Sequence, residues 1–218
     1  MTLCTLRQEL NIAKRNKYAL AGLVVLGWED AKFFVKAAEE IQCPIILQVG
    51  PNCRKNTPVE IMGPMLRKLA EDSSINIVTL LDHSTDLVEC KRALDSGFSS
   101  IMFDGSNMEF NENIDMTCKA VELAKSYEAS VEAELGVVGY DKGIKSKFTD
   151  PELAQEFYAA TQVDALAISV GNTHLEQQKA TEVDTKLISQ IEKIVKCPLV
   201  IHGGSGIKNT QLHWLAKN

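Results

Sequence analysis

The sequence predicts an α/β protein of the TIM (β/α)8 barrel type, truncated after the seventh strand. Three observations carry this reading. Short runs rich in Val, Ile and Leu alternate along the whole chain with amphipathic helical segments, as in a parallel sheet covered on both faces. No GxGxxG follows the first such run, which weakens the competing open, doubly wound sheet that binds dinucleotides. Polar residues able to do chemistry fall at the C-terminal ends of several different runs; a barrel gathers those ends on one face, whereas an open sheet spreads them along a line.

The elements follow in order. A helix over roughly residues 5–16 precedes the first strand, "YALAGLVV" (18–25). "WEDAKFFVKAAEEI" reads as a helix with Asp30 as its N-cap, and "CPIILQVG" as the next strand. In "NTPVEIMGPMLRKLAED" a capping box of Thr57 and Glu60, with Pro58 at the first helical position, opens a helix. Then come the strand "INIVTLLD", the helix "DLVECKRALDSG" closed by Gly97, and the strand "SSIMFDG". The helix "NENIDMTCKAVELAKSY" leads to the strand "ASVEAEL" and a loop, "GVVGYDKGIKSKF". Thr149 and Glu152 form a second capping box around Asp150 and Pro151, followed by the strand "DALAISVG", the helix "TKLISQIEKIV" and the strand "CPLVIHGG".

No linker, repeat or composition shift divides the chain, so residues 1–218 read as one domain. A complete barrel takes about 250 residues. This chain stops in "KNTQLHWLAKN", where an eighth strand is due, and the domain is expected to be C-terminally incomplete.

Composition excludes several function classes. With 29 acidic against 23 basic residues and a net charge of −6, the chain as a whole offers no electrostatic footprint for nucleic acid or an anionic membrane. Lys142, Lys145 and Lys147 form a local basic cluster suited to a small anion. The six cysteines show no CxxC pairing, as expected of a reduced, cytoplasmic protein. Charged residues from Arg7 to Lys17 leave no signal peptide, and the longest apolar run, "ALAGLVVLGW", is too short to span a bilayer.

The chemistry concentrates at strand ends. Of four histidines, His83, His174 and His202 each end an expected strand, and His213 lies in a terminal helix-like segment. One such histidine is usually structural. Three on a barrel mouth form a set that holds catalytic zinc and leaves its fourth position open. Their separations match no local zinc motif, so placement in the fold carries the argument. Asp82, beside His83, is a candidate proton donor; as a helix cap it is less apt than Ser84, Thr85 or Asp86. Asp104 and Glu134 either orient metal-bound histidines, visit the metal themselves, or serve as loop hydrogen-bond partners. Glu132 shares strand parity with Glu134 but lies deeper. In "HGGSG", Gly203 and Gly204 let backbone N–H groups approach an anion and Ser205 adds a hydroxyl, which favours phosphate over a plain tight turn.

These residues sit in blocks, "LLDHSTD", "SIMFDGSNMEFNENI", "VEAELGVVG", "TDPELAQEFYAATQVDALAISVGNTH" and "PLVIHGGSGI", that resemble, in order, the signature blocks of class II, metal-dependent ketose-bisphosphate aldolases. The resemblance implies a lyase of carbohydrate metabolism, of the glycolytic kind, that cleaves or forms a C–C bond in a phosphorylated ketose through a dihydroxyacetone-phosphate-type enediolate. It implies one catalytic Zn2+ on His83, His174 and His202, with Asp104 and Glu134 in its outer or alternate shell. A further monovalent or second metal ion belongs to the same expectation. Asp82 would be the acid/base at the substrate hydroxyl, Asp141 the base of the enediolate step, and Gly203, Gly204 and Ser205 the phosphate site. A homo-oligomer is expected on the same ground.

The chain departs from that pattern at four places. Leu175 follows the second histidine where the family usually has glycine. The loop "GVVGYDKGIK" is one residue short and carries only Asp141 as an acid; "AGLVVLGWED" lacks the usual asparagine; and the eighth-strand phosphate segment is missing. The alternative reading is therefore a non-catalytic aldolase-like fragment or partner subunit that keeps the metal site. A zinc hydrolase would have no use for the HGGSG loop.

Overall fold

The structure, a computed structural model, describes residues 2–140, 143, 145–176, 178 and 180–217. The chain forms two compact units, the first made of Met1–Asn16, Leu20–Asp104 and Lys119–Glu132, the second of Lys17–Ala19, Gly105–Cys118 and Ala133–Asn218.

The first unit holds β1 (Leu3–Cys4), α1 (Leu6–Asn16), β2 (Ala21–Val24), α2 (Trp28–Glu40), β3 (Ile45–Val49), α3 (Pro51–Arg54), α4 (Val59–Asp72), β4 (Ile77–Ser84), α5 (Leu87–Asp95) and β5 (Ser100–Phe103). Strands β2, β3, β4 and β5 lie side by side in that order, all parallel, and β1 pairs with the start of β4. β3 and β5 are buried along their whole length, and of β4 only His83 is half-buried, so these strands read as unbroken apolar runs instead of alternating ones. β2 is mostly exposed and shorter than the expected 18–25: Ala21–Val24 pairs with β3, and just beyond it Val25 N–H donates to Gln48 O at 2.9 Å. The first N–H groups of α1 are capped from a distance: Leu6 donates to Ser100 Oγ at 2.8 Å and Arg7 to Ser130 Oγ at 3.0 Å.

The helix α6 (Phe110–Lys125) and the strand β6 (Ser130–Leu135) each contribute residues to both units. The second unit continues with β7 (Gly139–Tyr140), α7 (Pro151–Thr161), β8 (Ala165–Ile168), β9 (Thr173–His174), α8 (Thr185–Ile194), β10 (Leu199–Val200), a 3-10 turn (Gly204–Gly206) and α9 (Asn209–Leu215). β8 pairs in parallel with β10, and β7 with β9. Its core is Ala154, Phe157, Leu166, Ile168, Val170, Ile191 and Ile207, all fully buried.

Three local expectations are corrected. Asp30 is not the N-cap of α2; that position is Gly27, and the Asp30 carboxylate reaches back from the first turn to the N–H groups of Leu26 and Gly27, at 2.6 and 2.9 Å. Pro58 is the N-cap of α4 and not its first helical residue, and no side chain caps that helix. At α7 the cap is Asp150, which accepts from Glu152 and Leu153 N–H; the Thr149 hydroxyl instead donates to Leu135 O at 2.6 Å and accepts from Ser169 N–H at 2.8 Å. Thr149 is buried, and a buried hydroxyl goes to the carbonyl within its reach. Among the described residues no helix is long and apolar enough to cross a membrane.

Candidate active site

In the first unit the site is built on an irregularity. β4 runs two residues past its expected end at Asp82, through His83 to Ser84. Its register against β5 is Leu81↔Ile101 and then Ser84↔Phe103, so β4 carries one residue more than its partner between those pairs. Such a bulge re-aims side chains. At it His83 adopts φ 48°, a left-handed conformation uncommon for a residue with a side chain, and its N–H is given to Met102 Sδ at 3.4 Å. The His83 Nδ1 lies 2.7 Å from Asp104 Oδ2, with both side chains largely buried. The carboxylate holds the ring proton on Nδ1, which leaves the lone pair on Nε2, the arrangement that suits a metal-binding imidazole.

Asp82 is 5% exposed. Gln48, on β3, points its amide at Asp82 Oδ1 from 3.5 Å, and there is room for Gln48 because β2 has glycine at position 22, where a Cβ would stand 2.6 Å from Gln48 Oε1. Arg54, at the end of α3, is a residue the sequence reading missed, because "PNCRKN" looks like a solvated loop. Its side chain is only 9% exposed, is paired with Glu89 at 2.8 Å, and donates to the carbonyls of Val49, Asp82 and His83. Glu89 in turn accepts from the Ser84 hydroxyl at 2.8 Å. Cys90 lies close by, and burial pushes its thiol up to about 11. Asp86, not Asp82, caps α5 by accepting from Val88 N–H.

In the second unit His174 lies in β9 and His202 in the turn beyond β10, so neither ends a main strand as expected. Asn172 joins the two turns: its Oδ1 accepts from Val170 N–H at 2.8 Å and its Nδ2 donates to His202 O at 3.0 Å. The imidazoles of His174 and His202 have centroids 5.6 Å apart, and Tyr140 stacks on His174 at 5.0 Å. Gly203 has φ 69°, and a Cβ there would stand 2.2 Å from Thr173 O. Gly204 has open space around it, and Ser205 is exposed. Glu134 is buried, accepts from Val138 N–H at 3.3 Å, and is held through its own carbonyl by Asn113. Glu132, in the first unit, is as deeply buried. Lys145 and Lys147 are exposed, while Asp141 and Lys142 lie outside the described residues. Leu175 is 69% exposed at φ 56°, a conformation that glycine adopts freely.

The model of the family described as class-II fructose-bisphosphate aldolase matches residues 4–218. The chain belongs to that family. It is 36% identical over 208 residues to the 6-phospho-5-dehydro-2-deoxy-D-gluconate aldolase of Shouchella clausii, covering 92% of this chain and 70% of that protein. It is 33% identical over 219 residues to the fructose-bisphosphate aldolase of Geobacillus stearothermophilus, covering 97% of this chain and 76% of that one. Among solved structures, the crystal structure of the YdjI aldolase from Escherichia coli K12 superposes with a TM-score of 0.86 at 31% identity, covering 96% of this chain and 76% of that one. The chain is thus an enzyme of the aldolase type, a C–C lyase, in a family that is generally metal-dependent. Each unit taken by itself offers donors of the kind such a metal takes: the first a histidine oriented by a carboxylate, the second two neighbouring histidines.

Proposed function

We propose that this class II aldolase is zinc-dependent and makes or breaks a C–C bond in a phosphorylated ketose by way of a dihydroxyacetone-phosphate-type enediolate. The observation that carries the reading is the Asp104-oriented His83 beside buried Asp82 on the bulged end of β4. His83, His174 and His202 would hold the zinc, with Asp104 orienting and Glu134 in the outer or alternate shell, where a further metal ion would also find its ligands. The zinc would supply a Lewis acid that polarises the ketone and stabilises the enediolate.

The rest of the chemistry falls to the chain's own residues. In cleavage, the Asp82 carboxylate takes the proton of the hydroxyl next to the breaking bond. The O–H electrons become the new carbonyl, and the C–C electrons pass to the enediolate fragment. In condensation Asp82 returns that proton. Burial keeps water from competing for the carboxylate, and the Gln48 amide fixes its orientation. Gly203, Gly204 and Ser205 would take the substrate phosphate, and Asp141 would serve the proton of the enediolate step. The same proposal includes a single domain with TIM-type barrel architecture, a cytoplasmic location and a homo-oligomeric assembly.

Metal analysis and aldol-cleavage assays test it, with fructose bisphosphate and 6-phospho-5-dehydro-2-deoxygluconate as substrates named by the relatives. Near one zinc per chain is expected, lost in His83→Ala. A well-folded protein that takes up no zinc would overturn the reading. Asp82→Asn should keep the zinc and lose cleavage by about 10²–10⁴-fold.

A further inference from the structure

We infer that Arg54 is a positioning residue that stands in for a missing stretch of strand and thereby holds the Asp82–His83 step in its working conformation. The pairing of β3 with β4 stops at Val49↔Leu81, because the chain turns off through Gly50 into α3. Three residues of β4, Asp82, His83 and Ser84, then continue beyond the strand that would have paired with them on that side, and the first two turn their carbonyls to Arg54. The Arg54 guanidinium fills the gap. Its Nη1 donates to Val49 O at 2.7 Å and to Asp82 O at 2.6 Å, its Nη2 to His83 O at 3.1 Å, and its Nε to Glu89 Oε1 at 2.8 Å. A planar fork reaches three carbonyls and a carboxylate at once; an ammonium group on a flexible stem does not.

The conformation it secures is one that needs securing. The left-handed backbone of His83 is unfavourable for a residue with a side chain and persists only where the surroundings over-determine it. On the β5 side the register slips at the same residues. Arg54 ties the carbonyl ends of both peptide units concerned, and Glu89, itself held by the Ser84 hydroxyl, keeps the guanidinium in place and balances its charge. His83 is thus fixed from two directions, its backbone by Arg54 and its ring by Asp104.

The inference rests on the reading of Asp82 as proton shuttle and His83 as metal ligand, and its test separates the two. In the metal-free protein, the His83 Nδ1 proton held by Asp104 is expected to give a downfield NMR resonance, assigned by its loss in Asp104→Asn. Arg54→Ala and Arg54→Lys, checked for cooperative unfolding, should broaden or lose that resonance. Both should also bind zinc about 10- to 100-fold more weakly, measured against a competing chelator. Wild-type behaviour of Arg54→Lys in both readouts would overturn the inference, since charge without the fork would then suffice. Should Arg54→Ala fail to fold, Arg54→Lys decides alone. Should the wild type bind no zinc, the metal reading fails and the resonance decides the role of Arg54.

Discussion

His83 shows how much at the scale of single residues was open to reading and how much was not. Its place at the end of an apolar run, beside Asp82, was visible, and so were Asp104, Glu134, His174 and His202. The bulge that turns His83 toward Asp104 depends on the register against β5, and Arg54 depends on where β3 stops; both are made by distant residues and leave no local pattern. Asp104→Asn removes the anionic acceptor on Nδ1, and a zinc titration should show affinity lower by about 10- to 100-fold with the fold intact. Cys90 allows a second prediction. Burial raises its thiol from 9.0 to about 11, so between those values the folded chain holds a proton that the unfolded chain has released. The folded state binds more protons, and stability must therefore fall as pH rises through that window, by about 2–3 kcal/mol in all. Urea titrations at pH 8 and pH 11 should show this loss, and Cys90→Ala should remove that part of it. An unchanged slope in the variant would mean that other groups carry it.

At the scale of elements, the main strands and helices were legible because their apolar periods run over many residues. β1, β7 and β9 were not, since two residues cannot show a period. Caps were the least legible feature. Asp86, Asp150 and Asp184 each accept N–H groups two or three residues on, yet of these only Asp86 was among the expected caps. Thr149 was expected too, but its hydroxyl joins the end of β6 to Ser169. Asp150→Ala should therefore cost about 1 kcal/mol in urea denaturation, the ordinary value of a cap. Thr149→Val should cost more, about 1–3 kcal/mol, because it strands a buried carbonyl and a buried N–H. The HGGSG loop divides in the same way. Gly203→Ala would drive a Cβ onto Thr173 O, whereas Gly204→Ala meets no neighbour. Gly204→Ala should leave the melting temperature unchanged, so a rise in its KM would report the approach of a ligand to that backbone.

At the scale of the whole molecule, the proposed zinc set of His83, His174 and His202 bears on stability, because its members are far apart in sequence. A zinc that takes all three as ligands binds the folded chain and not the unfolded one, so its binding energy adds to the stability of the fold. At a free zinc concentration one hundred times its dissociation constant the gain is about 2.7 kcal/mol. For a chain of 218 residues this corresponds to a rise in melting temperature of roughly 5–10 °C. A set of three predicts that His83→Ala, His174→Ala and His202→Ala each abolish the zinc-dependent rise. A smaller ligand set predicts otherwise. If His83→Ala keeps the full rise, the metal rests on His174 and His202 alone. If instead the rise survives in His174→Ala and His202→Ala, it rests on the His83–Asp104 pair alone. Thermal melts of the four proteins with zinc and with chelator decide among these.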